Sequence, residues 1–230
     1  MPYKHLFFDL DRTLWDYDAN STKALTEIFH SYQLANSFAS PEEFLGIYNH
    51  HNDILWEFYR KGLIIKEDLR TRRFELTLLE KGITNHKLCA EIGEHYMYIT
   101  PRLNILAPNT IETLEYLLEK QYKMYILTNG FLSTQQKKMA HSKLDTYFER
   151  IYSSEELGVN KPRKEIFHWA VSAVHGKKSE CLMIGDDLEV DIIGAKNYGI
   201  DTVWFNPSGL KAAHKPNYTI GNMSELLKFL

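Results

Sequence analysis

Short apolar runs that stop at turn or acidic residues recur along the chain. Residues 6–8 (LFF) end at Asp9, 123–127 (KMYIL) at Thr128-Asn129-Gly130, 181–184 (CLMI) at Gly185-Asp186-Asp187, and 202–205 (TVWF) at Asn206-Pro207. Weaker runs lie at 151–152 and 218–220. Runs this short, bounded by turn residues, predict strands buried on both faces. Between them the spacing turns helical. One helix is expected from about Asn109, acting as N-cap, with Ile111, Leu114, Leu117 and Leu118 on one stripe. A second is expected over about 162–175, with Pro162 in its first turn and Ile166, Phe167, Ala170 and Val174 inward, and a third over 189–198. Strands alternating with helices predict an α/β fold with a doubly wound, mostly parallel sheet.

A different texture interrupts this alternation after the first strand. From 18 to 99 the pattern is almost wholly helical, with helices expected at about 18–35, 41–61, 67–81 and 85–98. Pro41-Glu42-Glu43 reads as a helix start, and Gly62 and Gly82 as stops. The expected division is therefore a core of 1–17 and 100–230 with an all-helical domain, 18–99, inserted into it. An insertion at that point stands at the carboxyl edge of the sheet, where open α/β sheets bind ligands.

Composition narrows the function classes. The chain has 230 residues, 44% hydrophobic and 25% charged, with a formal net charge of −3. Its basic clusters are short (Lys137-Lys138, Lys177-Lys178), so nothing resembles a footprint for a nucleic acid polymer. Two distant cysteines, Cys89 and Cys181, make a disulfide framework implausible. No apolar run approaches the roughly 20 residues that span a bilayer, and the amino terminus lacks the pattern of a signal peptide. The expected location is cytoplasmic.

Candidate chemistry sits at the strand ends. Asp9 and Asp11 leave the first strand on the same side. Such a pair can hold a hard cation, and one member can attack phosphorus while the other moves the leaving group's proton. Alone, the pair reads equally well as a polar turn. Thr128-Asn129-Gly130, at the start of a helix, offers a hydroxyl and backbone N–H groups to an anion, although Asn-Gly is also an ordinary turn. Lys161 could neutralise phosphate charge; a lone lysine is usually a surface residue. Asp186, Asp187 and Asp191 crowd like charge after a buried run. A divalent cation would relieve that crowding, and a charged helix start is the plainer alternative. There is no P-loop, no GxGxxG, no GxSxG elbow and no zinc-type His or Cys spacing, which argues against kinase, dehydrogenase and esterase chemistry. His50, His51, His86 and His95 are expected as surface or polar-core residues.

Together, Asp9–Leu10–Asp11–Arg12–Thr13, then Thr128, Lys161 and Gly185–Asp191, resemble the haloacid dehalogenase-like superfamily over nearly the whole chain. The resemblance implies a Rossmann-like core with an inserted helical cap. It also implies a magnesium-dependent phosphatase working through an aspartyl-phosphate. Asp9 would be nucleophile and metal ligand. Asp11 would be general acid/base and bind metal through its carbonyl. Thr128 and the neighbouring amides of Asn129 and Gly130 would bind phosphate, and Lys161 would stabilise transition-state charge. Asp186 would complete the metal site, with Asp187 or Asp191 supporting it. Arg12 departs from the common form, in which glycine is frequent, and could reach the site entrance.

The stretch Phe8–Asp16, with Thr128-Asn129-Gly130 and Gly158-Val159-Asn160-Lys161-Pro162, is similar to the family's nucleotidases for pyrimidine nucleoside monophosphates. This implies a small nucleotide as substrate, with Trp15, Tyr17, Tyr48 and Trp56 as candidates to stack on a base. Sugar-phosphate or phosphoglycolate phosphatases and phosphoglucomutase-like enzymes are alternatives. So is a binding protein that retains the fold, although it has no reason to keep Asp9, Asp11 and Lys161.

Overall fold

The structure, a computed structural model, describes residues 3–211 and 215–230. It divides into two compact units, Met1–Tyr17 with Asn104–Leu230, and Asp18–Leu103. The second junction therefore lies at Leu103, not at the expected residue 99.

The first unit is built on six parallel strands: β1 (His5–Phe8), β2 (Lys123–Thr128), β3 (Arg150–Ser153), β4 (Cys181–Gly185), β5 (Asp201–Phe205) and β6 (Tyr218–Ile220). Their order is β3-β2-β1-β4-β5-β6, the order of doubly wound nucleotide-binding sheets. β1 is central, pairing His5–Phe8 with Lys123–Ile126 on one side and Cys181–Ile184 on the other. On one face Phe7, Tyr125, Leu127, Tyr152 and Met183 pack against Ile166, Phe167, Ala170 and Val171. Their strand partners on the other face, Leu6, Phe8, Met124, Ile126, Leu182 and Ile184, are buried as well. Burial on both faces explains why these strands read as unbroken apolar runs and not as alternating ones.

Three expectations about helices in this unit are corrected. α5 runs Thr110–Glu119 with Asn109 at its N-cap position, but the Asn109 side chain accepts no N–H of the first turn. Asn109 adopts a left-handed backbone (φ 62) and donates its side-chain N–H to Asn222. Pro162 is not in a first turn, because α8 starts later, at Lys164–Ala173 with Arg163 at its N-cap. The segment read as a helix over 189–198 is a π-helical turn, Leu188–Ile193, followed by α9, Gly194–Tyr198. α6 (Leu132–Ser142), of which the sequence marks only the start, joins β2 to β3, and the short α7 (Ser154–Leu157) follows β3.

The second unit contains α1 from Asp18 onward (helix Tyr17–Ser31), α2 (Pro41–Arg60), α3 (Lys66–Leu79) and α4 (His86–Ile99). Its core follows from helical spacing: Leu25, Ile28 and Phe29, then Phe44 and Tyr48, Phe74 and Leu78, and Ile92 and Tyr96 form one buried cluster. α2 starts where the sequence indicates. Ser40 accepts from the Glu43 N–H, Glu43 accepts from the Ala39 N–H, and Pro41 occupies the first turn. Among the described residues no helix is long and apolar enough to cross a membrane.

Candidate active site

The carboxyl ends of β1, β2 and β4 are adjacent, so the residues following them converge. Asp9 is tied to the sheet by its N–H, which donates to the Ile184 carbonyl at 2.9 Å. The chain then turns tightly, with the Leu14 and Trp15 N–H groups donating to the Leu10 carbonyl and the Arg12 N–H to that of Trp15. Arg12 has φ 64, the left-handed region that favours glycine. That is the physical reason a glycine suits this position. The Arg12 guanidinium lies 4.5 Å from the centre of the Tyr17 ring.

Lys161 is the centre of the site. Its ammonium is 2.6 Å from Asp9 Oδ1 and 2.6 Å from Asp191 Oδ1, and it donates to the Leu127 carbonyl at 2.7 Å. The side chain is almost completely buried. Burial works against the ammonium, but Asp191 and Asp9 outweigh it and raise the lysine's pKa. Asn129 locks the lysine's backbone: the Lys161 N–H donates to Asn129 Oδ1 and Asn129 Nδ2 donates to the Lys161 carbonyl.

Asp186 and Asp191 complete an acidic cluster with Asp9, each offering an oxygen within 4.8 Å of the others. Thr13 donates its hydroxyl to Asp186 Oδ1 at 3.0 Å, and the Trp204 indole N–H donates to the Asp186 carbonyl. Burial, then Asp191, pushes the Asp186 carboxyl up to about 7. Burial likewise raises Asp9 and Asp191, against the opposing pull of Lys161. Gly185 is required by this crowding, since a Cβ there would stand 2.3 Å from Asp191 Oδ2.

The donor set suits a divalent cation. It is all oxygen, which favours a hard ion such as magnesium or calcium. Three carboxylates against one ammonium would leave two negative charges in a buried space once all three ionise. Asp187, in contrast, accepts from the Glu189 and Val190 N–H groups and caps the π-helical turn. Asp191 is the one of the two that joins the cluster. Among the described residues this is the single group of side chains arranged to hold a metal.

Thr128 is also buried, and its hydroxyl oxygen accepts from the Gly130 N–H at 2.9 Å and from Gln135 Nε2 at 3.0 Å. A hydroxyl that accepts twice keeps its own proton for an anion. The neighbouring amides are less available than the sequence suggests. The Gly130 N–H is engaged by Thr128 and the Leu132 N–H donates to Glu155. Ser153 and Ser154 pin this loop by donating to the Gly130 and Asn129 carbonyls.

Asp11 stands apart from the acidic cluster. One of its oxygens pairs with Lys138 and the other accepts from Gln135 Nε2 at 2.9 Å. Both partners come from α6, and neither is conspicuous in sequence. Lys138 reads as half of a short surface basic cluster, yet it is 5% exposed. The α6 spacing that brings Gln135 and Lys138 to one face is the signal that could have found them.

Of the aromatic candidates, Trp15 and Tyr17 fall outside the helical unit. Trp15 is buried with Lys138 over its ring, and Tyr17 packs against Trp15 edge to face. Tyr48 is in the core of the helical unit against Phe74 and Tyr96, and Trp56 meets Tyr59 edge to face. The expected polar histidines pair with carboxylates: His51 with Glu80, His86 with Glu75 and His95 with Glu27.

Comparison with known proteins agrees with this geometry. The model of haloacid dehalogenase-like hydrolases matches residues 3–199. The chain is 31% identical to pyrimidine 5'-nucleotidase PynA of Streptococcus pneumoniae (strain ATCC BAA-255 / R6), over 100% of this chain and 96% of that protein. It is 30% identical to pyrimidine 5'-nucleotidase YjjG of Escherichia coli (strain K12), over 100% and 99%. The magnesium-bound crystal structure of the HAD-hydrolase YfnB from Bacillus subtilis superimposes with a TM-score of 0.89 at 28% identity, covering 99% of this chain and 98% of that one. With the family model matching residues 3–199 and relatives 30–31% identical over the whole chain, the chain belongs to the haloacid dehalogenase-like hydrolases.

Proposed function

We propose that the protein is a magnesium-dependent phosphatase that forms an aspartyl-phosphate on Asp9, and that its substrates are pyrimidine nucleoside 5'-monophosphates. The observation that carries the chemistry is the buried Lys161 ammonium held 2.6 Å from Asp9 Oδ1 beside two further carboxylates. Such a centre is costly for stability alone and suited to a multiply charged anion. The nucleotide reading rests on full-length similarity to two pyrimidine 5'-nucleotidases.

In the proposed reaction Asp9 Oδ attacks phosphorus as the bond to the leaving oxygen breaks, and Asp11 delivers a proton to that oxygen. Water then attacks phosphorus, Asp11 takes a proton from it, and phosphate departs with Asp9 restored as a carboxylate. Lys161 and the Thr128 hydroxyl neutralise and orient the non-bridging oxygens. Asp9 and Asp186, with the Asp11 main-chain carbonyl and the nearby Asp191, would hold magnesium, which supplies charge neutralisation when bound. The helical unit would act as the cap that selects the substrate, and the protein would work in the cytoplasm on small metabolites.

Phosphate release from a panel of nucleoside monophosphates and sugar phosphates, with magnesium and with EDTA, tests this reading. Magnesium-dependent release that favours pyrimidine monophosphates is expected. Release from sugar phosphates alone would overturn the substrate assignment and leave the chemistry in place.

A further inference from the structure

Asp11 is held by two side chains of α6 that also touch other parts of the site. Gln135 Nε2 donates both to Asp11 Oδ2 at 2.9 Å and to the Thr128 hydroxyl oxygen at 3.0 Å. One amide thus joins the two strand-end groups, one on the turn after β1 and the other at the end of β2. Its orientation is dictated by its partners. The nitrogen faces two oxygens at once, Asp11 Oδ2 and the Thr128 hydroxyl oxygen, and donates to both. That orientation leaves Gln135 Oε1 buried with no partner among the described residues. A buried acceptor left unsatisfied costs stability, so Gln135 is explained better by what its nitrogen does than by what it adds to the fold. Gly130 makes room for it, since a Cβ at that position would lie 1.8 Å from Gln135 Nε2.

Lys138 takes the other Asp11 oxygen. It sits one turn further along α6, and its ammonium lies 4.2 Å from the centre of the Trp15 ring. Trp15 is in turn fixed to the Asp11 turn by the Arg12 N–H that donates to its carbonyl. The lysine is therefore clasped between a carboxylate and an aromatic face of the same turn. Two donors from one rigid helix leave the Asp11 carboxylate little freedom to rotate.

We propose that Lys138 and Gln135 are positioning residues for Asp11: they set the orientation of its carboxylate, and Gln135 couples that orientation to Thr128. The proposal rests on the reading of Asp11 as the proton-transfer group, but its test separates the two. The full-length enzyme with magnesium is assayed as wild type, Asp11→Asn, Lys138→Met, Lys138→Arg and Asp11→Asn/Lys138→Met. Two substrates are compared, a nucleoside monophosphate and p-nitrophenyl phosphate, whose leaving group needs no proton. The first release of p-nitrophenolate is followed so that water attack does not mask it.

Lys138→Met is expected to lose about 10- to 100-fold in kcat on the nucleotide, the range found for removing a supporting partner, and less than about threefold on first p-nitrophenolate release. Its KM should change little, and Lys138→Arg should recover most of the loss. The double variant should be no slower than Asp11→Asn alone, because the lysine acts only through Asp11. Losses that multiply in the double variant, or equal losses on both substrates that Arg does not rescue, would overturn the proposal. If Asp11→Asn itself slows both substrates equally, the general-acid reading fails, and the double-variant comparison still decides whether Lys138 acts through Asp11. Should Lys138→Met not fold, Lys138→Gln, which removes the charge and keeps a polar head, carries the same comparison, with the same outcomes supporting or overturning it.

Discussion

The Lys161 ammonium stands 2.6 Å from Asp9 and 2.6 Å from Asp191, so one buried cation bridges the residue after β1 and a residue of the turn after β4. Its partners are far apart in sequence, and the lysine follows β3, so the contact exists only once three crossovers have formed. Replacing it leaves two buried carboxylates facing one another without a cation. Lys161→Met should therefore reduce kcat by at least about 10²-fold, the scale for removing one group that stabilises developing charge. It should also lower the thermal midpoint in EDTA. A variant that keeps more than a tenth of wild-type turnover would contradict this role.

Gly185 is the second position at which the cluster depends on backbone. An added Cβ would stand 2.3 Å from Asp191 Oδ2, and the nearby Asp191 Cγ and Cβ are also too close. Gly185→Ala should displace Asp191 and weaken magnesium affinity about 10- to 100-fold, as loss of a supporting partner does at metal sites. Isothermal titration of magnesium into the metal-free protein reads this directly. Unchanged affinity would show that Asp191 gives way without consequence.

The raised pKa of Asp186 makes the stability of the metal-free protein depend on pH. Its carboxyl titrates near 7 in the folded chain, against 3.8 for an unperturbed group. Between these values the folded state keeps a proton that the unfolded state has released. Stability is therefore highest below about pH 4 with respect to this group, and falls as pH rises towards about 7. Thermal midpoints in EDTA should decline across that window, and Asp186→Asn should flatten the decline. Magnesium should raise the wild-type midpoint most at the upper end. A wild-type midpoint that rises over the same window, with no difference from Asp186→Asn, would contradict the assignment.

Removing the carboxylate of Asp11 gives a prediction tied to the leaving group. Asp11→Asn should slow hydrolysis of a nucleoside monophosphate by about 10²- to 10⁴-fold, the usual span for general acid catalysis, and slow first p-nitrophenolate release much less. Equal losses on both substrates would argue against proton delivery by Asp11.

Much of this site is legible from the sequence because strand ends are. The runs ending at Asp9, Thr128 and Gly185 are buried on both faces, and a parallel sheet brings their carboxyl ends to one edge. Lys161 and the Asp186–Asp191 segment follow from that order. What the sequence does not carry is the use of individual donors. The Gly130 amide reads as a phosphate ligand, yet its N–H serves Thr128, and nothing in the sequence marks the Asn129 side chain as the lock on the Lys161 backbone. Asp187 and Asp191 are indistinguishable by spacing. They separate only because the π-helical turn points one to its own N–H groups and the other to Lys161. Lys138 is hidden for a different reason: a lysine beside another lysine has the signature of a solvated face, and only packing against Trp15 reveals it as buried.

The most direct test of the central claim is to trap the phosphorylated enzyme. A nucleoside monophosphate labelled in its phosphate is mixed with excess enzyme and magnesium, quenched in acid within a single turnover, and the protein is mapped by mass spectrometry. Phosphate on the peptide containing Asp9, absent from Asp9→Asn, is the predicted result. Full turnover with no label on the protein at any time, or magnesium-dependent turnover that survives Asp9→Asn, would contradict it.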